Sequence, residues 1–127
     1  MSFNHLVVWL DHAEARILVS KPDAVGHDMM RMHSRHANPY AAESHSRIPD
    51  AVEQAPYFDA IANALPQAGQ ILITGPGLEK MAFVKHVLRH KHQLAKKIVG
   101  VETVNHPDDP QLQTLARKHF LKADFLL

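Results

Sequence analysis

Three stretches of the 127-residue sequence predict an α/β fold built on a mixed sheet. The first is Ile71-Leu72-Ile73-Thr74, a short apolar run that reads as a buried strand, stopped by the breaker Gly75-Pro76-Gly77. The second runs from Leu78 to Lys97, has no Gly or Pro, and consists mostly of good helix formers. The third, Ile98 to Val104, supplies another strand. Strand, tight turn, helix and strand make one β-α-β unit, and the rest of the chain extends it in order.

His5 to His12 is an apolar run that reads as a central strand buried on both faces. Asp11-His12-Ala13-Glu14 is polar and turns the chain into a second strand, Ala15 to Ser20. Lys21-Pro22-Asp23 ends that strand, and His27 to His33 is the third, which gives an antiparallel meander. Ser34 to Pro49 has little apolar patterning and is expected to be an exposed, mobile loop. Asp50 to Leu65 is expected to be a helix, with Val52, Phe58, Ile61, Ala62 and Leu65 along one side and Pro56 as a point of division. Pro66-Gln67-Ala68-Gly69 ends it. After the central unit, Asp108 or Asp109 caps a last helix that has Pro110 in its first turn. Leu112, Leu115, Ala116, His119 and Phe120 have helical spacing in that helix, and Leu121 to Leu127 is a short apolar tail. The predicted order is β-β-β-α-β-α-β-α, a mixed five-stranded sheet with helices on its faces.

Length and composition fit one domain over residues 1–127, with 46% hydrophobic and 21% charged residues. With no cysteine, disulfides, thiolate zinc sites and a thiol nucleophile are excluded. A formal net charge of +1 means that any nucleic-acid surface depends on local clustering. No apolar run reaches the roughly 20 residues of a membrane span, and Met1-Ser2-Phe3-Asn4-His5 does not read as a signal peptide. The expectation is a cytoplasmic protein with no membrane contact.

Local charge clusters in the helix expected over 78–97. Lys85, Arg89, His92 and Lys96 are spaced by four, three and four, so they share one stripe, widened by His86, His90 and Lys97. Met81, Val84, Val87, Leu88, Leu94 and Ala95 are expected on the sheet side, with Lys91 snorkelling out between them. Such a face suits RNA phosphates, through release of counterions. Arg35 and Arg47, with His36 and His45, place further cations in the 34–49 loop.

Other chemistries are less well supported. The turn Gly75-Pro76-Gly77 with Lys80 lacks both the Gly-Lys-Ser/Thr of a P-loop and the third glycine of a dinucleotide site. Glu79 in the first turn of the helix also discourages an anion there. His86 and His90 have ligand spacing, but Val87 stands where the metalloprotease motif has Glu, so no metal site or cofactor is assigned. A two-metal nuclease needs several convergent carboxylates. Asp11 at the end of the first strand, with Glu14, Glu79 and Glu102, is the candidate set. No serine has a nucleophile-elbow context.

Ile71-Leu72-Ile73-Thr74-Gly75-Pro76-Gly77-Leu78-Glu79-Lys80-Met81-Ala82-Phe83-Val84 resembles the central domain of the Pelota and archaeal-eukaryotic peptide-chain release factor family. That domain has a strand ending in a Gly-Pro-Gly-type turn, then a hydrophobic residue, a Lys and a helix. Val7 to Ile17 looks like the family's first hairpin, and is also similar to small bacterial proteins grouped as translational-machinery or release-factor-like proteins. The resemblance covers about residues 5–22 and 70–124. It implies a ribonuclease-H-like fold and a role at the ribosome. Release factors carry Gly-Gly-Gln before the first helix, where the Gln promotes peptidyl-tRNA hydrolysis. The matching region, Ser34 to Pro56, has no such motif, and Gln54 has no glycine beside it. No catalytic residue is therefore carried over. Pelota-like proteins also lack the motif and act by binding stalled ribosomes.

The expected function is a non-catalytic, translation-associated protein that binds the ribosome, rRNA or tRNA. The alternatives are a ribonuclease-H-like metal-dependent nuclease and an interaction module that self-associates through its apolar tail and an exposed strand edge.

Overall fold

Three antiparallel strands open the fold: β1 (Asn4–Leu10), β2 (Glu14–Ser20) and β3 (His27–His33). The structure, a computed structural model, describes residues 4–20, 27–34, 51–65 and 68–125. Helix α1 (Ala51–Ala64) leads to β4 (Ala68–Gly75), which lies parallel to β1. Helix α2 (Glu79–His90) and the single turn α3 (His92–Ala95) lead to β5 (Ile98–Thr103), parallel to β4. Helix α4 (Asp109–Phe125) follows. The sheet order is β3-β2-β1-β4-β5, so the mixed five-stranded sheet is as expected, with one extra short helix.

Strand alternation divides the apolar residues of β1 between two cores. Leu6, Val8 and Leu10 pack with Phe58 and Ile61 of α1 and Phe83 and Val87 of α2. Val7 and Trp9 pack with Leu112, Ala116 and Phe120 of α4 on the other face. Each large side chain fully buried here contributes roughly 1.5–3 kcal/mol. The indole Nε1 of Trp9 donates to the carbonyls of Val104 and Asn105, both at 3.1 Å, and so ties β1 to the loop entering α4.

That loop is capped reciprocally. Gln111 N–H donates to Asp108 Oδ1 at 2.8 Å, and Asp108 N–H donates to Gln111 Oε1 at 2.9 Å. Asp109 is then available to bridge Arg16 (3.0 Å) and Arg31 (2.5 Å), and the Arg16 guanidinium lies over the Trp9 ring.

Several local expectations are corrected. Pro56 does not divide α1, which is continuous across it. The carbonyl left without an N–H partner belongs to Val52, which is 83% exposed and open to water, so Val52 does not line the core either. Ser34 is buried rather than part of an exposed loop, because its Oγ donates to Gln54 Oε1 at 2.6 Å. The rest of the 34–49 segment lies outside the described residues.

Candidate nucleic-acid interface

The turn that enters α2 is set by close packing. Gly75 is buried, and a Cβ there would fall on the carbonyl oxygen of Leu10, so β1 and β4 approach at a point that only glycine allows. Pro76 and Gly77 carry the chain out to solvent. Lys80 folds back: its side chain is buried and Nζ donates to the Gly77 carbonyl. The amine is thus engaged in closing the turn. Glu79 faces α1, where Gln54 hydrogen-bonds it, and burial raises its carboxyl above the ordinary range.

The 78–97 stretch is not one helix, and the predicted stripe is broken at Lys91. Its N–H still donates to Val87 O (2.8 Å), but φ −136° and ψ 64° take the next residue out of line. No Gly or Pro causes this. Ile71 N–H donates to Lys97 O at 2.8 Å, which fixes Lys97 to the start of the β4–β5 ladder. A straight helix would advance about 1.5 Å per residue past the sheet. The bend instead returns the chain and brings Leu94 and Ala95 against the core.

Lys85, Arg89, His92 and Lys96 are nevertheless all exposed, and Lys97 is half-buried. Lys85 and Arg89 ride on α2, His92 on α3, and Lys96 follows it. Lys91 Nζ reaches Asn63 Oδ1 at 3.4 Å. Among the described residues no carboxylate pairs with Lys85, Arg89, Lys96 or Lys97. Sequence explains this in part, since no acid occurs between Glu79 and Glu102. Arg35 and Arg47 lie outside the described residues.

The outer surface is less uniformly basic than the spacing predicts. Phe83, Val87 and Lys80 turn inward, so the buried stripe is rotated from the expected one. Met81 and Leu88, expected on the sheet, are 41% and 54% exposed. His86, expected to widen the cationic stripe, faces α1 instead. Its Nε2 meets Asp59 Oδ1 at 2.7 Å, and its ring lies 5.6 Å from Phe58 and 4.7 Å from His90. The His86 hydrogen bond, with the charges of His86, Lys91 and His90, lowers the Asp59 carboxyl below its ordinary value.

The carboxylates weighed for metal chemistry are engaged separately. Asp11 Oδ1 accepts the N–H groups of Ala13 and Glu14, both at 2.8 Å, an arrangement that builds the β1–β2 turn. Its Oδ2 lies 3.3 Å from His106 Nε2. Glu14 lies 3.7 Å from His33, and Glu102 lies 3.9 Å from His119. Among the described residues no three His, Asp or Glu side chains are grouped to hold a metal ion. Sequence reasoning missed the buried hub at Gln54. Its Oε1 accepts from Ser34, its Nε2 donates to His12 O at 2.9 Å, and it also hydrogen-bonds Glu79. Nearby, Tyr57 donates to Asp11 O at 3.1 Å, and burial, aided by the charges of Asp11, Glu79 and Glu14, pushes its phenol far above the ordinary value.

No family model matches the sequence, and no curated protein matches it. Solved structures do match the fold. The Pelota protein of Thermoplasma acidophilum superposes with a TM-score of 0.57 at 22% identity, over 87% of this chain and 31% of that one. The archaeal translation termination factor aRF1 gives 0.60 at 15% identity, over 87% and 32%. Dom34 of S. cerevisiae, described as a translation termination-like factor involved in RNA quality control pathways and interacting with Hbs1, gives 0.55 at 6% identity, over 87% and 31%. This chain thus spans about a third of the length of each. At such identities the likeness is one of fold, and function has to be argued from the site. The side chains described above are carried by a Pelota-like, release-factor-like α/β fold with a mixed five-stranded sheet.

Proposed function

We propose that this chain is a non-catalytic, translation-associated protein of the cytoplasm that binds the ribosome or structured RNA. Residues 1–127 act as one domain, and the α2–α3 surface is the contact. The observation that carries this is the set Lys85, Arg89 and Lys96, exposed and without a carboxylate partner among the described residues. Cations already paired would have to lose a partner before meeting phosphate; these do not. His92 and Lys97 flank them, and Arg35 and Arg47 supply further phosphate contacts. Translation is favoured as the setting because the fold is shared with structures described as a translation termination factor and a translation termination-like factor.

Fluorescence anisotropy with a labelled structured RNA tests the surface. The triple variant Lys85→Glu, Arg89→Glu, Lys96→Glu is expected to bind at least about 100-fold more weakly at moderate salt, since three phosphate contacts become repulsions. Its urea midpoint should stay close to that of the parent, because all three side chains are exposed. Unchanged affinity would reject the assignment.

A further inference from the structure

Among the described strands, β5 ends the sheet and leaves its outer edge open. Only β4 pairs with it among the described strands. Val104 N–H donates to Gly75 O at 2.9 Å, so parallel-ladder alternation turns the N–H groups of Val101 and Thr103 outward. Val99 and Val101 are 46% and 36% exposed. On α2, Glu79 and His86 face α1, and Met81 and Leu88 are exposed on the opposite flank of the helix. The edge that the described strands leave open thus carries exposed apolar side chains at Val99 and Val101.

The charges of this edge complement themselves when the strand is reversed. Lys96 and Lys97 precede β5, and Glu102 lies near its end. A parallel copy sets like charge beside like charge; an antiparallel copy sets Lys97 opposite Glu102, twice, across a twofold axis. In that register Ile98 faces Val101 of the second copy, and Val99 faces Gly100. The faces agree. Ile98 packs on the α2 side of the sheet, and Val101 pairs in register with Ile73, a residue of the same core. Glu102 lies on the α4 side beside His119, and alternation from Ile98 puts Lys97 there too. Val99 is skipped in the β4–β5 register, so it is a bulge residue.

We propose that two copies of this chain associate through antiparallel β5–β5 pairing, with Lys97 of each copy against Glu102 of the other. Lys85 and Arg89 stay outside this contact, so the dimer displays two basic surfaces, from which Lys97 is withdrawn into the pairing with Glu102.

Sedimentation equilibrium over a wide concentration range tests this by charge exchange. The parent chain should show a concentration-dependent dimer. Lys97→Glu alone and Glu102→Lys alone should each weaken self-association about tenfold or more, since both cross-strand pairs become repulsive. Mixing the two variants should restore association to about the parent level, because each copy then meets opposite charge. Val101→Lys, which charges the exposed edge while keeping the sheet's own ladder, should give a folded monomer by circular dichroism and sedimentation. A parent chain that stays monomeric at every concentration overturns the proposal. So does a dimer that is indifferent to the single exchanges, or single variants that weaken association but fail to recover on mixing.

Discussion

Replacing Gly75 with alanine probes the tightest approach in the fold. A Cβ at that position falls on the Leu10 carbonyl oxygen, 3.4 Å from its carbon and 3.6 Å from Lys80 Cβ. The obstacle is backbone. β1 is held by β2 on one side and β4 on the other, so the carbonyl has no rotamer to escape into. Relief means parting the ends of β1 and β4, where Thr74 Oγ1 also donates to Val8 O at 3.0 Å. Overpacking usually costs about 1–3 kcal/mol, and a backbone clash belongs at or above the top of that range, about 3 kcal/mol. Gly77→Ala is the control: nothing lies within 4 Å of its added Cβ, and the expected change is within about 0.5 kcal/mol. Urea unfolding followed by fluorescence of Trp9, the single tryptophan and a fully buried one, reads both variants. With a urea slope of about 1.5 kcal/mol per molar, Gly75→Ala should lower the midpoint by about 2 M and Gly77→Ala by less than about 0.4 M. Equal midpoints for the two variants would refute the steric argument.

Gln54→Ala should cost about 2–4 kcal/mol in the same assay, because it removes the buried side chain that joins Ser34, the His12 carbonyl and Glu79. Asp59 and Glu79 give opposite pH signatures. The Asp59 carboxyl is lowered in the folded chain, so its stabilisation is present above the unfolded value of about 4 and is lost as pH falls through the folded one. Asp59→Asn should therefore flatten the acid limb of a stability–pH curve below about pH 4. The Glu79 carboxyl is raised, so the folded chain holds that proton more tightly, and stability falls as pH rises from about 4.3 toward the folded value. Glu79→Gln, which mimics the protonated acid, should exceed the parent in stability above that window and match it below, as urea midpoints at several pH values will show.

The fold was readable where one residue type admitted one structure. Ile71 to Thr74 and the apolar run of β1 read as buried strands because turn signals bound them, and Gly75-Pro76-Gly77 ends one. The Asp108-Asp109 pair announced the last helix, because a capping side chain acts on its own neighbours, and the structure gives the cap to Asp108. The break at Lys91 was illegible because its cause is distant: the bond between Ile71 and Lys97 needs the whole β4–β5 ladder in place. For the same reason the rotation of α2 was missed. Spacing identified which residues share a stripe, but the Asp59–His86 contact and the burial of Lys80 decided which stripe faces in. The exposed cations were legible as a cluster. Their lack of acidic partners required knowing that α1 presents Asp59 to His86 rather than to Lys85 or Arg89.

Co-sedimentation of the purified chain with ribosomes across a salt series tests the central claim most directly. Each phosphate contact contributes about 0.9 to the slope of log affinity against log salt concentration for a duplex, and about 0.7 for a single strand. The α2–α3 surface predicts binding that weakens steeply with salt, and a slope reduced by about 2–3 in the Lys85→Glu, Arg89→Glu, Lys96→Glu variant. Failure to bind even at low salt, or a slope identical in parent and variant, would contradict it.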